Sequence, residues 1–191
     1  PIPVIEAAVV ARNLSARRDE RAEMEELFGT GPQNINRDDL PLEVMEQAMI
    51  CGKILCYDQG FRMIKAASDQ FNWNLQAPAI ARVWREGCII RSAMLDDMAS
   101  AFTDDADRSL MAAPFFADHI KTTHNALPKL VAIAATHGIA VPAHAAALAY
   151  FDAMRTARGT ANMIQGQRDF FGLHGFARLD DGTSDNHGPW G

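Results

Sequence analysis

Pro41-Leu42-Glu43-Val44-Met45-Glu46-Gln47-Ala48-Met49-Ile50-Cys51-Gly52-Lys53-Ile54-Leu55-Cys56-Tyr57-Asp58-Gln59-Gly60-Phe61-Arg62-Met63-Ile64-Lys65-Ala66-Ala67-Ser68-Asp69-Gln70 contains no proline after its first residue. Its apolar residues Leu42, Met45, Met49, Leu55, Ile64 and Ala67 recur at roughly helical spacing. Asp38 or Asp39 is placed to cap such a helix, and Pro41 is tolerated in a first turn, where no intrahelical N–H is needed. The stretch predicts one long helix over residues 41–70, and the flanking segments repeat its periodicity.

Upstream, residues 4–27 predict one helix, stopped by Gly29-Thr30-Gly31-Pro32. Downstream, helices are predicted over residues 78–85, broken by Gly87, and 89–102. Another spans 106–124, where Pro114 forces a break or kink. Residues 127–137 end at Gly138, and Gly159 separates helices over 142–158 and 160–171. Nine of the 19 residues from 131 to 149 are Ala, so a helix there can approach its neighbours closely and suits the middle of a bundle. No alternating apolar–polar run bounded by turns predicts a sheet. After Phe171 the chain turns to Gly and Asp but keeps Phe176, Leu179 and Trp190, as a tail that docks on another surface would. The fold class is all-α: a helical domain over residues 1–171 and an extended C-terminal tail over 172–191.

Composition bounds the function. The chain has 191 residues, 48% hydrophobic and 22% charged, with a net charge of −6. A domain of this size buries about 70% of its unfolded surface, enough for a core. Intrinsic disorder needs fewer apolar residues. A membrane span needs about 20 consecutive apolar residues, and the best candidate, 138–151, is interrupted by Pro142 and His144. An acidic chain lacks the basic footprint of nucleic-acid binding. Cys51, Cys56 and Cys88, an odd set without C-x-x-C spacing, predict buried free thiols in a reducing, cytoplasmic setting. The opening Pro1-Ile2-Pro3-Val4, with neither Met nor signal pattern, predicts a piece of a longer protein.

Few motifs carry chemistry. Gly29-Thr30-Gly31 follows no predicted strand, which disfavours a nucleotide loop, and neither G-x-S-x-G nor H-E-x-x-H occurs. No two of the six histidines stand three or four residues apart, which disfavours a helical metal site. Lys121 and His124 lie one turn apart beside Asn125, a spacing able to place a base and an acid but common on solvated helices. Residues 17–21 read as a solvated charge run. Arg12 lies beside the apolar stripe of Ile5 and Val9, so it either snorkels or meets an anion. In residues 84–92, Gly87 predicts a turn that buries Ile89 and Ile90, with Cys88 an inert core thiol. Gln165, Gln167, Arg168, Asp169, Phe170, Phe171 and His174 gather a guanidinium, amides and an imidazole where helix becomes tail. That set suits a phosphate, or else a cation at a helix C-terminus.

Together these residues resemble the C-terminal domain of the 6-phosphogluconate dehydrogenase family. Glu6-Ala7, Ala11-Arg12-x-Leu14-Ser15 and Arg18-Asp19-Glu20-Arg21 are similar to its E-A-V-x-A-R-x-L-S and K-D-E-R. Tyr57-Asp58-Gln59-Gly60-Phe61 matches Y-A-Q-G-F with Asp58 for Ala. Trp73-Asn74-Leu75, Ile80-Ala81 and Trp84-Arg85-Glu86-Gly87-Cys88-Ile89-Ile90-Arg91 match W-N-L, I-A and W-R-G-G-C-I-I-R with Glu86 for Gly. Ala161-Asn162 and Gln165-Gly166-Gln167-Arg168-Asp169-Phe170-Phe171-Gly172-Leu173-His174 match A-N and Q-A-Q-R-D-Y-F-G-A-H.

The resemblance implies a large helical domain whose tail reaches into the partner subunit of a homodimer. The whole enzyme would oxidise and decarboxylate 6-phosphogluconate to ribulose 5-phosphate with NADP, in the pentose phosphate pathway of gluconate utilization. It implies that Arg12 binds the substrate phosphate, and that Arg168 and His174 complete the partner's substrate site. The family's nucleotide domain, its catalytic Lys and its H-N-G-x-E-Y segment match nothing here, so the chain alone is expected to be inactive, with no catalytic residue, metal or bound cofactor of its own. Lys121 and His124 imitate K-x-x-H-N out of order and without the Glu and Tyr. The alternatives are a non-catalytic helical dimerisation or interaction module and, less favoured, a helical metalloprotein.

Overall fold

A computed structural model describes residues 1–29 and 34–190, the side chain of Glu86 excepted. Nine α-helices are present among them: α1 (Pro3–Ser15), α2 (Arg18–Phe28), α3 (Leu42–Phe71), α4 (Ala77–Gly87), α5 (Met94–Asp104), α6 (Pro114–Thr123), α7 (Ala126–Thr136), α8 (Pro142–Met154) and α9 (Ala161–Gly172). A 3-10 turn, Leu110–Ala112, precedes α6. The described residues form no sheet; one isolated antiparallel bridge joins Phe176 and Asn186. The chain separates into two compact units, Pro1–Phe151 and Asp152–Gly191. Thus α9, expected to belong with the helices before it, packs with the tail that follows.

Local rules account for most boundaries. Proline opens α1, α4 and α6 at positions that need no N–H donor. Asn72 ends α3 in the left-handed region at φ 56°, and Gly138 turns the chain after α7 at φ 68°. The expected single helix over 4–27 is instead two, because Ser15 Oγ and Arg21 Nη2 bond the backbone oxygens of Arg12 and Ser15 where α1 stops. The predicted stop at Thr30, Gly31 and Pro32 lies outside the described residues, but Gly29 already ends α2. Neither Asp38 nor Asp39 caps α3: its N-cap is Pro41, with no side-chain bond. The segment before α6 is a turn plus the 3-10 turn, and α6 starts at Pro114 where the break was expected.

In the first unit Ile54, Leu55, Leu95, Met98, Phe116 and Leu127 are all fully buried. Phe61 joins them, its ring centroid 5.2 Å from Trp84 and 4.7 Å from Phe102. The stripe Leu42, Met45, Met49, whose spacing announced α3, lies on the opposite side and is 63%, 46% and 57% exposed. The Ala-rich α8 packs close to α3: a Cβ on Gly52 would stand 3.5 Å from the His144 ring. Burial lowers the pKa of that imidazole.

Three residues placed in the core by sequence sit otherwise. After α4 the backbone becomes extended at Cys88 and turns Ile89 outward, so Ile89 is fully exposed and Ile90 43% exposed. Cys88 is half-buried, its thiol donating to the Trp84 carbonyl oxygen at 3.3 Å. Cys51 is the inert core thiol: burial, only partly opposed by a hydrogen bond from Thr123, pushes its pKa up to about 11.

Candidate functional site

Arg12 lies in the third turn of α1. Of that helix only Val4 is buried, so the helix is secured at its first turn, while beyond it Ile5, Ala7 and Ala11 are half-buried and the other side chains are exposed. The securing group is Gln59 of α3, fully buried, whose Oε1 accepts the Val4 N–H at 3.0 Å. This satisfies one of the donors that every helix leaves open at its start. Ile5 packs beside Gly60, where a Cβ would come within 3.9 Å of Ile5 Cδ1. The Arg12 side chain is exposed and has no acidic partner among the described residues. Its guanidinium is presented to solvent, and the anion of the second reading is not one of the described residues.

Arg168 and His174 belong to the second unit. Both are exposed, and Arg168 bonds only the Gln165 Oε1, at 3.1 Å. Between them lies a residue that the sequence placed in the same cluster but to which it assigned no role. Asp169 is fully buried and accepts four hydrogen bonds. Its Oδ1 takes the Gly175 N–H at 2.9 Å and meets His187 Nδ1 at 2.6 Å. Its Oδ2 takes the Gly188 N–H at 2.8 Å and the Trp190 Nε1–H at 2.6 Å. Burial alone would raise the carboxyl pKa; the donors of Gly188, Trp190, His187 and Gly175 outweigh it and hold the group well below the usual carboxylate range.

These bonds fold residues 175–190 back as a hairpin. Phe176 and Asn186 exchange both backbone bonds, and the Arg178 N–H reaches the Thr183 oxygen. Trp190, read in the sequence as a docking residue, docks on α9 of its own chain: it reaches Asp169 and lies edge-on to Phe170, centroids 5.6 Å apart. At the bend Leu173 takes φ 50° and Gly175 φ 70°. The His174 imidazole lies over Gly172, where a Cβ would stand 2.8 Å from Nε2. The unit exposes Met163, Ile164, Phe171, Leu173 and Leu179.

Other candidates are absorbed locally. Lys121 pairs with Asp118 at 2.7 Å, and the His124 ring lies tilted against Phe151, centroids 5.3 Å apart, so the two form no acid–base site. A cleft of about 1150 Å³ borders α3 and α4. Its Arg62 is ion-paired to Asp58, its Lys65 to Asp69 and Asp107, and its Arg108 to Asp105. Asp58, the departure from the Y-A-Q-G-F string, is buried and also accepts from Ser109 Oγ at 2.6 Å and Tyr150 OH at 3.2 Å, which makes it a structural tie. No group of three or more potential ligands that could hold a metal ion occurs among the described residues. None of their helices is long and apolar enough to cross a membrane.

The architecture is thus an all-helical unit with Arg12 exposed on α1 and a carboxylate-knotted tail with Arg168 and His174 exposed. The family model for 6-phosphogluconate dehydrogenase, C-terminal domain, matches residues 1–190, and the chain belongs to this family. It is 40% identical over 188 residues to 6-phosphogluconate dehydrogenase, decarboxylating 2, of Saccharomyces cerevisiae, covering 96% of this chain and 38% of that protein. It is 37% identical over 185 residues to the NADP(+)-dependent decarboxylating enzyme of Bacillus subtilis, covering 94% and 39%. A solved 6-phosphogluconate dehydrogenase of Plasmodium falciparum, described apo and in complex with its cofactor NADP+ and its substrate 6-phosphogluconate, superposes with a TM-score of 0.89. The identity is 35%, covering all of this chain and 41% of that one. The chain therefore spans about two fifths of the length of the relatives it matches.

Proposed function

We propose that this chain is the substrate-phosphate-binding and dimerisation part of a cytoplasmic decarboxylating 6-phosphogluconate dehydrogenase. The whole enzyme converts 6-phosphogluconate and NADP+ to ribulose 5-phosphate, carbon dioxide and NADPH. In this reading Arg12 of one protomer and, across a homodimer, the partner's Arg168 and the partner's His174 surround the phosphate. The observation that carries it is that Arg12 and Arg168, the two arginines the resemblance assigns to the phosphate, are exposed and without acidic partners. Guanidinium forks bind phosphate oxygens in pairs, and an imidazole adds a further donor. Chain-wide similarity to NADP-dependent relatives supports the reaction assignment.

The residues described do not fit NADP itself. Gly29 follows a helix, and no strand leads into a glycine-rich turn. The isolated chain, given 6-phosphogluconate and NADP+, is expected to produce no NADPH absorbance; clear turnover would contradict the reading.

Mixed dimers test the shared site. With Arg12→Ala on one full-length protomer and Arg168→Ala on the other, a site shared across the dimer leaves one of the two sites wholly wild-type. The mixed dimer then regains activity that neither parent homodimer has. A mixed dimer as inactive as its parents sinks the shared site and favours a site built within one protomer.

A further inference from the structure

We propose that Asp169 is the positioning residue of the tail: its buried carboxylate fixes His174 relative to Arg168 and so sets how tightly the site holds the substrate phosphate. The inference rests on the reading that Arg168 and His174 bind that phosphate.

Asp169 has no route to act on substrate directly, being fully buried, and neither exposed neighbour shares its hydrogen bonds, Phe170 meeting the Trp190 ring instead. Arg168 precedes it on α9, so the guanidinium inherits the helix position. His174 lies just past the helix end, between Leu173, turned at φ 50°, and Gly175, whose N–H is bonded to Asp169 Oδ1. A short bend with two residues in the left-handed region has no helical ladder to hold it. The bond from Gly175 to Asp169 closes it over six residues.

The other three bonds reach the far strand of the hairpin at His187 and Gly188, and Trp190 beyond it. Among the described residues of this unit no apolar side chain is buried, so packing cannot replace those bonds. A phosphate contacted by two side chains of one segment demands a fixed distance between them. Displacements of about 1 Å in such positioning cost up to about a hundredfold.

The test uses the full-length dimeric enzyme. Asp169→Asn offers one acceptor oxygen where four donors converge. It is expected to raise the KM for 6-phosphogluconate by about ten- to a hundredfold, with kcat and the KM for NADP changed far less. Trp190→Phe keeps the ring beside Phe170 and removes one donor; a smaller KM rise is expected, and this variant decides the matter if Asp169→Asn does not assemble. Arg168→Ala is the control for the underlying reading. If Arg168→Ala raises KM while both other variants leave it unchanged, the positioning role is overturned. If they lower active enzyme at constant KM, Asp169 is merely structural and the inference also fails. An unchanged KM in Arg168→Ala instead overturns the phosphate reading, and this inference falls with it.

Discussion

In residues 1–151 the buried set is apolar, with Phe116, Ile54, Leu55 and Leu127 shut from solvent, whereas in residues 152–191 the one buried residue described is Asp169. The first unit is large enough for hydrophobic burial to offset its chain entropy. The second unit is not, and converging donors on one charge do the organising. Charge-assisted bonds are directional where hydrophobic contact is not. The core tolerates repacking, while the knot specifies a single geometry, which is what two phosphate-binding side chains at a fixed separation require.

If the first unit stands on burial, Phe116→Ala must cost it heavily. A loss of about 3–5 kcal/mol is expected, read as a drop in the chemical-denaturation midpoint. The Trp190 indole resonance should stay in place while the variant remains folded. A stability loss below about 1 kcal/mol would show that Phe116 is not the packing centre its burial indicates.

Acid should act on the other unit. The Asp169 carboxyl titrates well below its unfolded value of about 3.9. A group whose folded pKa is depressed contributes stability that is complete above the unfolded value and lost as pH falls toward the folded one. The hairpin is therefore stable to near pH 4 and loosens below it. The Trp190 indole resonance should move toward that of free indole between about pH 4 and pH 2. A resonance that moves above pH 5 would implicate another group.

How much of this was legible in residues follows the same division. The helices were readable, because α3 obeys a local period and Pro114, Gly138 and Asn72 impose local constraints. Which side of α3 is buried was not: Leu42, Met45 and Met49 keep perfect helical manners on the exposed side, and only the partner helices decide. Arg12, Arg168 and His174 were found through motif resemblance, and the structure adds that they are exposed. Asp169 was within the quoted string yet unread, since four donors reaching it from 6 to 21 residues away leave no local signal.

Gln59 tests the boundary between the two principles, since it is a polar tie inside the apolar unit. Gln59→Leu removes the acceptor of the Val4 N–H, but it also removes a buried Nε2 that has no partner. The two effects oppose, and a net loss of about 1 kcal/mol is expected. A loss several times larger would mean that the amide organises the first unit as Asp169 does the second.

The smallest energetic effect, and the sharpest functional one, belongs to Gly172→Ala. Alanine favours the helix by about 0.5–1 kcal/mol over glycine. Its Cβ, however, would stand 2.8 Å from His174 Nε2, so the ring has to leave its place. The imidazole is exposed and can move without opening the Asp169 bonds, so the displacement offsets the helical gain without exceeding it by much. Thermal stability should then stay within about 2 °C of wild type, while in the full-length enzyme the KM for 6-phosphogluconate rises. A variant that is stabilised and keeps its KM would show that the orientation of His174 over Gly172 is not the one used to bind phosphate.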